Sequence, residues 1–207
     1  MAFHFQKALR AAPGISLLQV VSRRLESLAD FEPGIPRATL GAALEKADVY
    51  LLAVADQAIA PVSAVLEDKD GLVVHTSGAS GLQVLQGPRR RGVLYPLQTF
   101  SRQRALDMRT IPLCIETEHP ADLPLLRRLA EALSHTVVEL PLDKRRHLHL
   151  AAVFVNNFSN HMIHIGQAHC RQEDLPESLL RPLLEETCAK LGCMPAYDAQ
   201  TGPARRR

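Results

Sequence analysis

Three short segments hold the polar residues best suited to chemistry, and each follows an apolar run. Ala55-Asp56-Gln57 follows Val49–Val54, His75-Thr76-Ser77-Gly78 follows Gly71–Val74, and Tyr95-Pro96-Leu97-Gln98 follows Gly92–Leu94. A run such as Val49–Val54 reads as a parallel strand buried on both faces. In open α/β sheets, ligands bind beyond the carboxyl ends of such strands. The three segments are therefore expected to face one crevice that takes a nucleotide or another small molecule. Ala53, Val54, Ala55, Asp56 and Gln57 would line it on one side, with Thr76 and Gly78 beside them. Glycine permits close backbone approach, and Ser77 can donate to a substrate carboxylate or a nicotinamide amide. The same segment also reads as a plain turn with Ser80 capping a helix.

A second group is Ser22-Arg23-Arg24, at the end of the run Ile15–Val21. In dinucleotide folds an acid near this point binds the ribose 2′-hydroxyl, whereas arginine accommodates a 2′-phosphate. The triplet favours NADP, with NAD the weaker alternative; a basic helix start on the surface would look the same.

The third group lies on a helix expected over 145–166. With His149 at the origin of a wheel of about 100° per residue, Val153, Asn156, Asn157, Asn160 and His164 share one arc. Most of the remaining circumference is apolar, with Ser159 and His161 as exceptions. A solvated face would carry lysine and glutamate. A stripe of amides and imidazoles needs partners if buried, so it lines either a pocket or a helix–helix seam. On this reading Gln98, His149, Asn160 and His164 contact substrate, and Ser77, Tyr95, Asn156 and Asn157 are the candidate catalytic groups. Nine histidines invite a metal test, and His161, His164 and His169-Cys170 are close in sequence. No carboxylate completes a familiar ligand spacing, so no metal is expected, and no nucleophile–base triad can be argued from sequence order.

The elements that must position these groups alternate. Helix 2–12 leads to strand 16–22, short helices near 24–30 and 38–46, then strand 48–55. Helix 57–67, strand 71–76, a short helix near 80–86 and strand 92–95 come next, followed by strand 112–117, helix 121–134 and strand 136–140. Such alternation implies an α/β fold with a parallel sheet and helices on both faces. From Leu142 the pattern is helical only, with Pro141 as hinge, which gives domains 1–141 and 142–207. One part is missing: no Gly-x-Gly-x-x-Gly occurs anywhere, and the chain opens inside the helix that should follow such a turn. The sheet is therefore expected to lack its central first strand. Met1–Leu25 is basic and free of acid, which loosely suits a presequence, but helix, Pro13-Gly14 turn and strand describe it better.

Bulk composition excludes several classes. The 207 residues are 46% hydrophobic with a formal net charge of +2, so there is a real core and no polyelectrolyte signal. Arg23-Arg24, Arg89-Arg90-Arg91, Lys144-Arg145-Arg146 and Arg205-Arg206-Arg207 read as solvated loop charge; with no tryptophan in the chain, nucleic-acid binding is not expected. No apolar run approaches the roughly 20 residues needed to span a membrane. Four cysteines without a Cys-x-x-Cys pair suit reduced thiols in the cytoplasm.

ADVYLLAVADQAI, GLVVHTSGAS, YPLQTFS, LHLAAVFVNNFSNHM and TGPARR together resemble the Rossmann-like proteins with a DUF2520 C-terminal domain. That group is similar to pyrroline-5-carboxylate reductase and to NADP-dependent oxidoreductases of the 6-phosphogluconate dehydrogenase type. The resemblance implies a Rossmann-type domain, an all-helical C-terminal domain, and a homodimer formed through the latter. It also implies that this chain is cut short at both ends. Family members carry a strand and Gly-x-Gly-Asn-Val before the residues matching Ala2–Phe5, and they continue beyond the motif at 201–206. Tyr95 stands where the family more often has histidine, and Val153 where the related dehydrogenases use a lysine. Three functions follow as expectations: an NADP-dependent oxidoreductase of a small metabolite, a nucleotide- or metabolite-binding module without turnover, or an incomplete gene product unable to bind cofactor.

Overall fold

The strand that carries His75 is the most deeply buried element: Leu72, Val73, Val74 and His75 are each 0% exposed. Around it the computed structural model, which describes residues 1–201, builds two compact units, Met1–Ala152 and a second that begins at Val153. Most of the motif at 201–206 and the terminal arginine cluster lie outside the described residues.

In the first unit, helix α1 (Ala2–Ala11) comes first and is ended by Pro13 and by Gly14, whose φ of 72° suits glycine. Strands β1 (Val20–Ser22) and β2 (Arg37–Thr39) follow and pair in parallel as a separate two-stranded sheet. Next come β3 (Val49–Leu52), α2 (Asp56–Ala64), β4 (Leu72–His75), β5 (Arg91–Pro96), β6 (Leu113–Thr117), α3 (Leu123–Leu133), β7 (Val137–Glu139) and α4 (Leu142–Ala152). Strands β3 to β7 form one sheet in that order. β3, β4 and β5 run parallel, with Leu52 opposite His75 and His75 opposite Val93. Their carboxyl ends therefore open at one edge, as expected.

Period-two alternation sends successive strand residues to opposite faces. Leu72, Val74, Leu94 and Ile115 meet Phe5 and Leu9 of α1 and Leu126, Leu129 and Leu133 of α3 on one side. Val73 meets Ile59 of α2 on the other, where Val93, Tyr95 and Cys114 pack with Leu148 of α4. The α3 residues fall at helical spacing of three and four, which gives one apolar stripe toward the sheet. Helices thus cover both faces.

Five expectations change. The segment near 38–46 is not helical: Arg37–Thr39 adds a strand beside β1, and Gly41, at φ 105°, turns the chain instead. The strand expected over 16–22 is ordered only at Val20–Ser22, and the helix near 80–86 only as a 3₁₀ turn at Leu82–Val84. Val49–Val54 is not buried on both faces; β3 has a strand partner only in β4, its first three residues are half-buried and Val54 is 37% exposed. Finally, β6 runs antiparallel to β5, because the connection 97–112 has no crossover helix and can return directly. Among the described residues the two sheets are not joined: β1 pairs with β2 alone and β3 with β4 alone, so each leaves one ladder edge without a strand partner.

The second unit opens on a π-helical stretch, Val153–Phe158, and continues with α5 (Ser159–Gln172), α6 (Arg181–Cys193) and the short α7 (Ala196–Ala199). The straight helix expected over 145–166 is therefore interrupted. Among the described residues no helix is long and apolar enough to cross a membrane.

Candidate functional site

The end of β4 feeds a loop whose polar groups bind one another. Ser77 Oγ donates to Asp56 Oδ2 at 2.9 Å, shares a hydrogen bond with Ser80 Oγ at 3.1 Å, and accepts the Ala79 and Ser80 amides at 3.2 and 3.0 Å. Asp56 opens α2, where an anion suits the helix dipole. One side chain thus ties the loop after β4 to the helix after β3. Thr76 Oγ1 reaches back to the Leu52 carbonyl at 3.3 Å, and the Ser77 amide donates to His75 Nδ1 at 3.1 Å. His75 is fully buried, and its Nε2 has no partner among the described residues. Burial, and then the Arg145 guanidinium, pull its pKa down to about 4. His75 is therefore neutral near pH 7, an acceptor at Nδ1 that holds the first turn of the loop.

Any side chain at Gly78 would have to displace its neighbours. A Cβ there would lie 2.7 Å from His149 Nδ1 and 2.7 Å from Tyr95 Cζ. Against this glycine the two rings meet, with Tyr95 Oη 3.0 Å from His149 Nδ1 and ring planes at 75°. Tyr95 ends the parallel part of the sheet opposite Cys114, and His149 comes from α4. Burial pushes the Tyr95 hydroxyl above its ordinary pKa, and burial likewise raises the Cys114 thiol. The phenol therefore keeps its proton, and the thiol is not a ready nucleophile.

Two arginines hold this loop from behind. Arg145 is 0% exposed; it pairs with the Glu116 carboxylate and donates to the Ser80 carbonyl at 2.6 Å. Arg146 Nε donates to the Ala79 carbonyl at 2.9 Å. Lys144-Arg145-Arg146 was expected to be solvated charge, and for Arg145 this is overturned: a guanidinium has enough fixed donors to satisfy a carboxylate and a carbonyl at once, so it can be buried. Arg90 of the other triplet is likewise committed, to the buried Asp122 at 2.6 Å. Nothing in the local sequence separates these arginines from surface ones; Asp122, Glu116, Ser80 and Ala79 lie 29 to 67 positions from the arginines they meet.

The structure thus brings Asp56, Ser77, Gly78, Tyr95 and His149 to one place, and adds His75, Arg145, Arg146 and Glu116. Ser22, Arg23 and Arg24 lie at the end of β1; Ser22 Oγ bonds Ser27 Oγ at 2.6 Å, and both arginines are exposed with no carboxylate partner among the described residues. Ala53 is half-buried, while Val54, Ala55 and Gln57 are exposed beyond β3. Gln98 is exposed and bonds the Thr99 amide with its own side chain. In the second unit Asn156 donates to Asn157 at 3.0 Å, and Asn160 donates to Asn156 at 3.3 Å; Asn157, Asn160 and His164 are exposed. Among the described residues no group of three His, Cys, Asp or Glu could hold a metal ion.

Comparison with known proteins adds to this geometry. Residues 111–207 match DUF2520, a domain of unknown function. A Bacteroides fragilis protein assigned as an NADP oxidoreductase is 35% identical over 99% of this chain and 82% of its own, with a TM-score of 0.87. The chain belongs to the Rossmann-like DUF2520 family. Two further structures share the fold. The 1-pyrroline-5-carboxylate reductase of Streptococcus pyogenes has 14% identity, covers 99% of this chain and 82% of its own, and gives a TM-score of 0.64. An imine reductase of Myxococcus stipitatus, solved with NADP+, has 17% identity, covers 98% and 76%, and gives 0.52. No curated protein matches the chain. The DUF2520 match starts at Ile111, so it takes in both partners of the Glu116–Arg145 pair, while Ser77, Gly78 and Tyr95 precede it.

Proposed function

We propose that this DUF2520 protein is an NADP-dependent oxidoreductase acting on a small metabolite. The observation that carries the reading is the Tyr95–His149 pair, seated on Gly78 at the carboxyl ends of β4 and β5. Its relatives support the cofactor class: one is assigned as an NADP oxidoreductase and another was solved with NADP+. The residues present suit that group in one respect: Arg23 and Arg24 are cations without carboxylate partners among the described residues, as a 2′-phosphate requires. Ser22, Arg23 and Arg24 would hold the adenosine phosphate, and Ala53–Gln57 with Thr76–Gly78 the rest of the cofactor.

When bound, the nicotinamide supplies or accepts a hydride. The chain's part is the proton. With neutral His149 accepting at Nδ1, the Tyr95 proton points inward and is locked. With His149 protonated, Nδ1–H donates to the phenol oxygen and frees the Tyr95 proton for a substrate nitrogen or oxygen. Outward transfer thus requires a hydrogen on Nδ1, in the neutral Nδ1–H tautomer or the imidazolium, and His149 restores the phenol afterwards by passing that hydrogen to it. Ser77, whose hydrogen-bonding capacity is taken up by Asp56, Ser80 and two amides, positions the loop. Asn156, Asn157, Asn160, His164 and Gln98 are the remaining candidates for orienting substrate.

A second reading, binding without turnover, is favoured by one observation: Val153 replaces the lysine of the related dehydrogenases. Calorimetric titration with NADPH and NADH, followed by turnover on a panel of imines and keto acids, separates the two. NADPH binding at least roughly tenfold tighter than NADH, with consumption that fails in Tyr95→Phe and His149→Asn, is expected. Equal affinities would remove the Arg23-Arg24 argument, and binding without consumption would establish the second reading.

We further infer a cytoplasmic homodimer. The four free thiols suit the compartment. The second unit exposes Phe154, Val155, Phe158, Met162 and Ile165, with the Phe154 and Phe158 rings stacked at 5.0 Å. So many apolar groups on one short segment suit burial against a second copy. Sedimentation equilibrium should show a dimer that Phe158→Glu weakens; a wild-type monomer at micromolar concentration would overturn this.

A further inference from the structure

A cavity of about 480 Å³ lies between α1, the segment 102–109 and the end of α3. None of its lining residues belongs to the Asp56–Ser77–Tyr95–His149 group. Its size falls within the range of small-molecule sites, about 300 to 1,000 Å³.

The walls have two characters. Ala8 of α1 and Ala12 just beyond its end face Leu106, Met108 and Leu133, and the last two are 5% and 1% exposed, so the floor is continuous with the core. Small residues along this stretch of α1 leave the space open. The rim is cationic: Lys7, Arg102, Arg104 and Arg109 line the cavity with a single carboxylate, Asp107. Four cations against one anion leave an excess of three, more than the +2 of the whole chain. Asp107 offsets one of the four; its carboxylate accepts the Arg109 amide at 2.9 Å and caps a 3₁₀ turn. Lys7 sits 4.6 Å from the centre of the Phe3 ring. Arg102 shares Asp30 at 3.0 Å, but both side chains are more than 60% exposed, so that pair is weak. Arg104 and Arg109 have no carboxylate partner among the described residues. A concave, low-dielectric surface lined by one sign of charge focuses its field on what enters.

We propose that this cavity is a ligand site separate from the nicotinamide crevice, and that it takes a small amphipathic anion: a carboxylate or phosphate monoester on a short apolar body. The apolar part lies on Leu106, Met108 and Leu133, and the anion meets Arg104 and Arg109.

The test uses the full chain at low ionic strength with four probes: hexyl phosphate, hexanoate, inorganic phosphate and hexanol. One amphiphile should bind saturably at one site, at least roughly tenfold tighter than phosphate or hexanol, since each of those lacks half of the recognition. The better of the two amphiphiles identifies the head group. Combining Arg104→Ala with Arg109→Ala, both exposed positions, should weaken it at least roughly tenfold. Ala11→Leu should weaken it comparably by filling the space. NADPH titration of the same variants should be unchanged, which separates failure here from failure of the oxidoreductase reading. Three results would each overturn the proposal: no saturable binding of either amphiphile, binding indifferent to the double arginine variant, or inorganic phosphate binding as tightly as the amphiphiles.

Discussion

The loop Thr76–Gly81 and the segment Ser22–Arg24 both follow strand ends in the first unit, but they are built in opposite ways. Around the loop, Thr76, Ser77 and Ser80 are bonded, Arg145 and Arg146 hold two of its carbonyls, and Gly78 fits against two rings. In Ser22–Arg24, among the described residues, Ser22 Oγ bonds the neighbouring Ser27 Oγ, which donates to the Arg24 carbonyl at 2.6 Å, and both guanidinium groups are exposed. Under the proposed function the difference is a division of labour. Groups proposed to meet reacting atoms are fixed in advance, because misplacement by an ångström costs rate. Groups proposed to recognise a solvent-facing phosphate can wait for it.

Breaking the loop's anchor should have the largest effect. Arg145→Ala would leave Glu116 without its buried partner and should cost about 3 to 5 kcal/mol in urea unfolding. Arg145→Lys should recover only part, since an ammonium cannot span Glu116 and the Ser80 carbonyl as the fork does. A loss below about 1 kcal/mol, the scale of a surface pair, would mean that the loop is not held as described.

His75 gives the next effect, and its sign follows from the direction of its shift. Its pKa is about 6.5 unfolded and about 4 folded. Between those values the unfolded chain binds more protons, so stability present above pH 6.5 is lost as pH falls toward 4, on the order of 3 kcal/mol in full. Unfolding of wild type and His75→Gln at pH 7 and pH 4.5 should show the variant losing less. Parallel losses would show that His75 does not carry this dependence.

Gly78→Ala should cost about 1 to 3 kcal/mol by overpacking, and should separate Tyr95 from His149. Turnover is expected to fall further than stability alone explains; unchanged stability would deny the close fit. At the other end of the comparison, replacing Arg23 and Arg24 by alanine should alter stability by less than about 0.5 kcal/mol. It should bring NADPH affinity down toward that of NADH. A large stability loss there would erase the contrast between the two segments.

Much of this was legible in the chain. The buried strand Leu72–His75 announces itself as a continuous apolar run ending in hydroxyls and glycine, and Gly78 and Tyr95 stand out by residue type. The polar stripe could be drawn only on a uniform helix, and the π-helical stretch Val153–Phe158 breaks the spacing on which the wheel depends. Its amides pair with each other instead. The buried arginines were hidden for a different reason. A basic triplet at a helix start has the same composition whether it meets water or Glu116, and only the register of β6 decides which. The strand at 37–39 was read as helix because three residues are too few to show a period, and pairing with β1 determines their conformation.

The split between the two sheets has a consequence for how the backbone breathes. Outward-facing amides of Val20–Ser22 and Val49–Leu52 have no strand beyond them. In deuterium they should exchange early, by small local openings, while those of Leu72–His75, flanked on both sides, should be among the last to go. An exchange map would therefore set fast amides on β1 and β3 against the slowest ones on β4, the strand paired with β3.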